Sequence, residues 1–178
     1  RSQDAVFYQL GEMRSDIWVD GLFTESVDGG LQNLYRHNIS NLNVPFTGWG
    51  SFYNLIYNFN NVIKILPQTP LPEAERNRML AEIYGLRAYV YYTMLRTWGA
   101  VPLNTEPVET INNAAETYKR RTGTDTIMTQ VKADIEQSLQ LFGAANTLSA
   151  AKRVYWNRVA SLVLKGDVFI WSGTHMSG

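Results

Sequence analysis

Trp18 and Tyr35 offer flat rings, and Asp20, Asp28, Asn33, Arg36, His37 and Asn38 offer planar polar groups, all within one stretch ahead of Trp49. That combination is the chemistry of sugar recognition. Flat aromatic rings stack on the apolar C–H face of a sugar. Amides, carboxylates and guanidinium groups make paired hydrogen bonds to neighbouring hydroxyls. Trp18, Asn33, Tyr35 and Arg36 are the candidate ligand-binding residues. The structural alternative is that Trp18 and Tyr35 anchor a long loop to the core. Trp49 and Trp98 read as structural, and Arg87, inside an apolar helix, must be paired or hydrogen-bonded. It is expected to tie helices together through a carboxylate or through carbonyls at a helix end, with Asn60 in a similar role.

Catalytic chemistry finds no support. Glycoside hydrolysis needs two carboxylates facing each other across the scissile bond. Asp134 with Glu136, and Glu73 with Glu75, stand two apart on helices and point in different directions. Asp16 and Asp20 share a loop but no supporting motif. The chain has two histidines, His37 and His175, and no cysteine. No His-x3-His spacing offers a metal site, and no EF-hand pattern supports calcium. Neither a glycine-rich phosphate loop nor a G-x-S-x-G elbow is present. No enzyme, cofactor or metal is therefore expected. Sixteen basic residues balance sixteen acidic ones, so no general attraction to nucleic acid exists. Lys119-Arg120-Arg121 reads as solvated surface.

The elements that would position these residues are helices. Glu82 to Leu103 reads as a long buried helix closed by Gly99 and stopped by Pro102. Its helix begins near Pro72, with Glu73 and Glu75 in the first turn, where the helix dipole favours acid. Phe52, Leu55, Ile56, Phe59, Val62, Ile63 and Leu66 form one helical stripe, with Ser51 as cap and Pro67 as stop. Further helices are expected at about Ser2–Met13, Asp125–Phe142 and Val154–Trp171. The short turn from Pro67 to Leu71 predicts an antiparallel αα-hairpin. Leu162, Gly166 and Phe169 match the first helix of a tetratricopeptide unit, the glycine admitting a close neighbour. The expected fold is all-α: an irregular array of antiparallel, tetratricopeptide-like helix pairs with a long aromatic-rich loop over residues 14 to 50.

Collinear blocks along the chain resemble the SusD/RagB family of outer-membrane nutrient-uptake lipoproteins. They are Arg14-Ser15-Asp16; Trp49 with Phe52-Tyr53, Ile56, Asn60 and Val62-Ile63; and Glu82 with Leu86-Arg87-Ala88, the aromatics to Tyr92, Gly99 and Val101-Pro102-Leu103. Arg121 with Ile127, Val131, Asp134-Ile135 and Leu141 follows, then Arg153-Val154 and the run Leu164 to Gly173. The resemblance implies a glycan-binding subunit of an outer-membrane uptake complex. Its ligand would be an oligosaccharide of a starch-like polysaccharide, and its partner a TonB-dependent, SusC-like channel. It also implies a surface-exposed lipoprotein whose signal peptide and lipid-carrying cysteine are not in this sequence, so that membrane contact runs only through that anchor. Residues 1–178 would then be the N-terminal part of a longer SusD-like helical domain. The alternative function is a helical-repeat module that binds a protein or peptide and has no glycan affinity.

Overall fold

The computed structural model describes residues 11, 32–34, 36–38, 40, 48–107, 118–144 and 155–176. The chain divides into two compact units, Arg1–Tyr53 and Asn54–Gly178. The expected helix at Ser2–Met13 and the candidates Trp18 and Tyr35 lie outside the described residues.

Four long helices are described: α1 Gly50–Ile65, α2 Glu73–Trp98, α3 Thr124–Phe142 and α4 Arg158–His175. The fold is all-α, as the periodicity predicts. Among the described residues the only extended pairing is an isolated antiparallel bridge between Val101 and Thr122. No helix among them is long and apolar enough to cross a membrane.

Helix α1 buries Phe52, Ile56 and Asn60, one residue per turn, with Leu66 buried just beyond its end. It starts at Gly50 rather than after Ser51, which therefore lies inside the first turn. Pro67 does not follow the helix directly. It sits in the first turn of a short 3-10 segment, Leu66–Gln68, that tightens the exit. Thr69 Oγ1 donates to Leu66 O at 2.7 Å, and Arg76 Nη1 donates to Leu71 O at 2.8 Å. These bonds hold the connection into α2. Pro72 is the residue preceding the helix, and Glu73 and Glu75 occupy its acidic first turn.

Helix α2 is the hub. It buries Leu80, Ala81, Gly85, Arg87, Ala88, Val90, Tyr91, Tyr92, Met94 and Leu95. Gly99 closes it at φ 68°, its amide donating to Leu95 O at 2.9 Å. A positive φ costs a glycine nothing. Val101, fully buried, then carries the chain back, with Thr122 N donating to Val101 O at 3.0 Å. Gly143 ends α3 with φ 63° in the same way.

Contact pairs set the helix directions. Arg87 meets Asp134 and Ala81 meets Ser138, so α2 and α3 are antiparallel. Ser138 meets Ser161 and Glu136 meets Lys165, so α3 and α4 are antiparallel as well. The closest partner of α2 is thus α3. The α1–α2 hairpin expected from the short turn meets through side chains, chiefly Asn60 with Arg87.

Helix α4 corrects the sequence reading at both ends. It begins at Arg158, where Asn157 in an extended conformation accepts a hydrogen bond from Ala160 N. Asn157 is an N-cap of the preferred type. The helix runs through Ser172-Gly173 to His175. Gly166 also departs from expectation. It is exposed, and nothing stands within 4 Å of where its Cβ would be. Leu162 is exposed as well, while Phe169 is half-exposed with Lys132 of α3 over its ring, 4.9 Å from the ring centre.

Candidate functional site

The interior of the Asn54–Gly178 unit is organised around one charged pair. Arg87 and Asp134 are 4% and 2% exposed. The Arg87 Nε and Nη2 donate to Asp134 Oδ2 and Oδ1, each at 2.7 Å. This bidentate fork is the strongest geometry a guanidinium can make. Arg87 Nη1 donates to Asn60 Oδ1 at 2.8 Å and to Thr105 O at 3.3 Å. Asn60 Nδ2 passes the chain of bonds on to the carbonyls of Asn104, at 3.0 Å, and Glu106, at 3.3 Å. Gln130 Nε2 donates to Asp134 Oδ1 at 2.9 Å. Helices α1, α2 and α3 and the segment 104–106 are therefore tied through one guanidinium. Of the partners expected for Arg87, the carboxylate is present; the carbonyl it meets is that of Thr105, in the segment beyond Gly99 rather than at a helix end.

Burial opposes the charge on Arg87, but the hydrogen bonds to Asp134 and its negative charge more than offset that, and hold the guanidinium above its ordinary range. Tyr84 lies beside the pair, with Arg87 Cζ 5.3 Å from its ring centre. Burial raises the Tyr84 phenol, and the Arg87 charge acts in the opposite direction.

Tyr91 fixes the same returning segment. Its hydroxyl donates to Asn104 O at 2.8 Å and accepts from Asn104 N at 2.7 Å. Burial pushes Tyr91 up to about 12, and Tyr92 likewise to about 12. Both phenols are neutral in folded and unfolded chain below pH 10. Between pH 10 and 12 the unfolded chain ionises first, so the stability tied to these two groups is lost as pH rises through that window. Tyrosinate absorbance is expected to show two groups that ionise only near pH 12, together with unfolding. Complete titration of all tyrosines around pH 10 in folded protein would contradict it.

A second cluster joins α2, α3 and α4. Trp156, which the sequence reading places inside the last helix, instead precedes its cap and lays its indole on Gly85. A Cβ at Gly85 would stand 1.9 Å from Trp156 Nε1. That nitrogen donates to Ser161 Oγ at 2.8 Å. Ser161 and Ser138 hydroxyls are 2.8 Å apart, and Ser138 Oγ donates to Ala81 O at 2.7 Å. Every polar atom of this buried line thus finds a partner. The exposed edge of Trp156 faces Tyr89, ring centres 5.9 Å apart, along a mainly apolar cleft of about 470 Å³ bordered by Val159 and Val163.

The loop candidates are only partly described. Residues 32–34, Asn33 among them, are helical, and Arg36 lies in a turn, its amide donating to Gln32 O at 3.1 Å. Asn33 is half-buried and its Oδ1 accepts from Asn38 Nδ2 at 3.2 Å. Arg36 is exposed. His37 takes a positive φ of 56°, a conformation uncommon outside glycine. Sequence reasoning did not single out Lys64, Tyr84, Glu106, Gln130, Gln137 or Trp156. Helical periodicity could have flagged Tyr84 and Gln137 only as two faces of separate helices. Their shared surroundings come from helix register.

Comparison with known proteins places this arrangement. A profile of SusD-like proteins, described as starch-binding and associating with the outer membrane, matches residues 6–160. A SusD-like protein of Formosa agariphila is 31% identical over 166 residues, which are 92% of this chain and 30% of that protein. A SusD superfamily protein from Bacteroides vulgatus superposes with a TM-score of 0.84 at 33% identity, covering 99% of this chain and 35% of the other. NanU of B. fragilis gives 0.84 and 33%, over 100% of this chain and 35% of its own. A laminarin-binding SusD-like protein shares the fold, with a TM-score of 0.78 at 24% identity over 93% of this chain and 35% of the other. The chain spans about a third of the length of these relatives.

Proposed function

This chain belongs to the SusD-like family, and from that membership we propose that it is a glycan-binding subunit of an outer-membrane nutrient-uptake complex. It captures a neutral oligosaccharide by stacking and hydrogen bonding, performs no chemistry on it, and delivers it to a TonB-dependent, SusC-like channel. The observation that carries the reading is the family match over residues 6–160, whose description names starch binding and the outer membrane. The collinear sequence blocks within that span agree with it. Residues Trp18, Asn33, Tyr35 and Arg36 supply the first ligand contacts in this reading. The protein is held at the cell surface by a lipid anchor carried outside these residues, and residues 1–178 are the leading part of a longer SusD-like chain.

Affinity electrophoresis through gels containing starch or laminarin tests this directly. Retardation by one neutral polysaccharide is expected, and Trp18→Ala is expected to weaken it. Losing an aromatic that stacks on a nucleic-acid base costs about 1–3 kcal/mol, and a loss of that size here is a drop in affinity of roughly 5- to 150-fold. Unchanged mobility in every neutral polysaccharide would remove the reading.

One observation favours a second reading, a helical-repeat module for a protein or peptide. Helix α4 exposes Leu162, Val163, Phe169 and Ile170, with Val163 at 68% and Ile170 at 71%. Contiguous apolar surface of this kind marks interaction faces. Under that reading a protein partner binds and no glycan does.

A further inference from the structure

A polar pocket of about 490 Å³ opens directly over the Arg87–Asp134 pair, between α1, α2, α3 and the segment 105–107. Its floor is Arg87, Asp134 and Asn60, whose polar atoms are already committed to one another. Around its mouth stand the Tyr84 hydroxyl, the Glu106 carboxylate and the Gln137 amide. None of these three makes a hydrogen bond from its side chain to another described residue. A rigid, satisfied floor under free donors and acceptors is the layout of a preformed small-ligand site.

The charges select the ligand. Lys64 and Arg87 bring two positive charges to the pocket, and Glu106 and Asp134 bring two negative ones. An anion would meet two carboxylates and a cation two basic groups, so neither sign gains from entering. What remains favourable is a neutral molecule with many hydroxyls, each able to donate and accept. The Gln137 amide and the Tyr84 hydroxyl can each donate and accept, and the Glu106 carboxylate accepts. The ring of Tyr84, half-buried, adds an apolar wall. The cavity is large enough for a sugar ring with its neighbours.

We propose that this pocket is a glycan subsite built into the helical scaffold of the Asn54–Gly178 unit, where it holds one or two neutral sugar rings through Tyr84, Glu106 and Gln137. The proposal rests on the glycan-binding reading and extends it to a site of its own. Arg87 acts there as a positioning residue, since it holds Asn60 and the carbonyls of 104–106 in place without reaching the ligand itself.

The test is a side-chain amide NMR titration of the protein with maltotriose and, separately, laminaritriose. The Gln137, Gln130 and Asn60 amide signals are expected to shift and saturate. Gln137→Ala, at a half-exposed and unengaged side chain, leaves the fold in place and is expected to weaken binding roughly two- to tenfold, the worth of one neutral hydrogen bond. Glucuronic acid and glucosamine are expected to perturb the pocket less than glucose does. If a polysaccharide retards the protein while its trisaccharide leaves the pocket amides unmoved, the subsite is overturned and the glycan-binding function stands. If the amides shift but no polysaccharide retards the protein, the subsite stands and the uptake reading falls. If neither occurs, both fall. Stronger shifts from the charged sugars than from glucose would also overturn the proposal.

Discussion

Arg87→Met is expected to destabilise the protein by roughly 3–5 kcal/mol, because it leaves Asp134 buried without its counter-charge. For a chain of this size that corresponds to a fall in Tm of roughly 6–20 °C. Asp134 is 2% exposed, and after the substitution only Gln130 still donates to it. The loss extends beyond the pair. Asn60 Oδ1 and Thr105 O each lose the Arg87 donor. The segment 104–106 would then rest on Asn60 Nδ2 and Tyr91 alone. The reverse removal, Asp134→Leu, should be of similar size, since it strands the guanidinium. Replacing both, Arg87→Met with Asp134→Leu, should recover a large part of the stability, because an apolar pair of similar volume avoids the desolvation of both charges. Thermal unfolding of the two single variants and the double variant measures this. Additive losses in the double variant would show that the two residues act independently, and the geometry would then be the wrong explanation.

Gly85→Ala provides the second large effect, and its sign depends on one other residue. In the middle of an exposed helix alanine is favoured over glycine by about 1 kcal/mol. At position 85 an added Cβ would fall 1.9 Å from Trp156 Nε1, inside the indole itself. The ring must move, and moving it strains the hydrogen bond from Nε1 to Ser161 and the Ser161–Ser138 contact behind it. Overpacking of this kind costs about 1–3 kcal/mol, which outweighs the propensity gain and leaves a net destabilisation of up to about 2 kcal/mol. In a Trp156→Ala background the obstacle is gone, and Gly85→Ala should become stabilising by up to about 1 kcal/mol. A double-mutant cycle by urea unfolding reads the reversal. Should Gly85→Ala destabilise equally in both backgrounds, Trp156 is not what the glycine accommodates.

These two positions also show where local reading stops. The helical stripes of α1 and α3 were legible because burial repeats every three or four residues. Of the α1 stripe, Phe52, Ile56 and Leu66 are buried and Leu55, Phe59, Val62 and Ile63 half-buried, and in α3 Ile127, Val131 and Ile135 are each 1% exposed or less. The closing glycines 99 and 143 were legible because a positive φ has few other tenants. The start of α4 was missed by four residues. The apolar run through Val154, Tyr155 and Trp156 looks helical locally, yet Trp156 is held outside by its seat on Gly85, and Asn157 caps the helix after it. The loop candidates gained less. Asn33 lies in a short helical segment and Arg36 in a turn, whereas Trp18 and Tyr35 lie outside the described residues.

By itself the sequence determined the all-α class, three of the four described helices to within about two residues, the family, and the requirement that Arg87 find partners. Spacing along one chain is enough for these, because each depends on which face of a helix a residue occupies. Only the tertiary structure decided which partners meet. Asp134 stands 47 residues from Arg87, Ser161 23 from Ser138, and Asn104 44 from Asn60. Several carboxylates and amides on other helices would have satisfied the same local rules. The choice among them follows from the antiparallel register of α2 against α3 and of α3 against α4. That register is a property of packed surfaces, and no local periodicity encodes it.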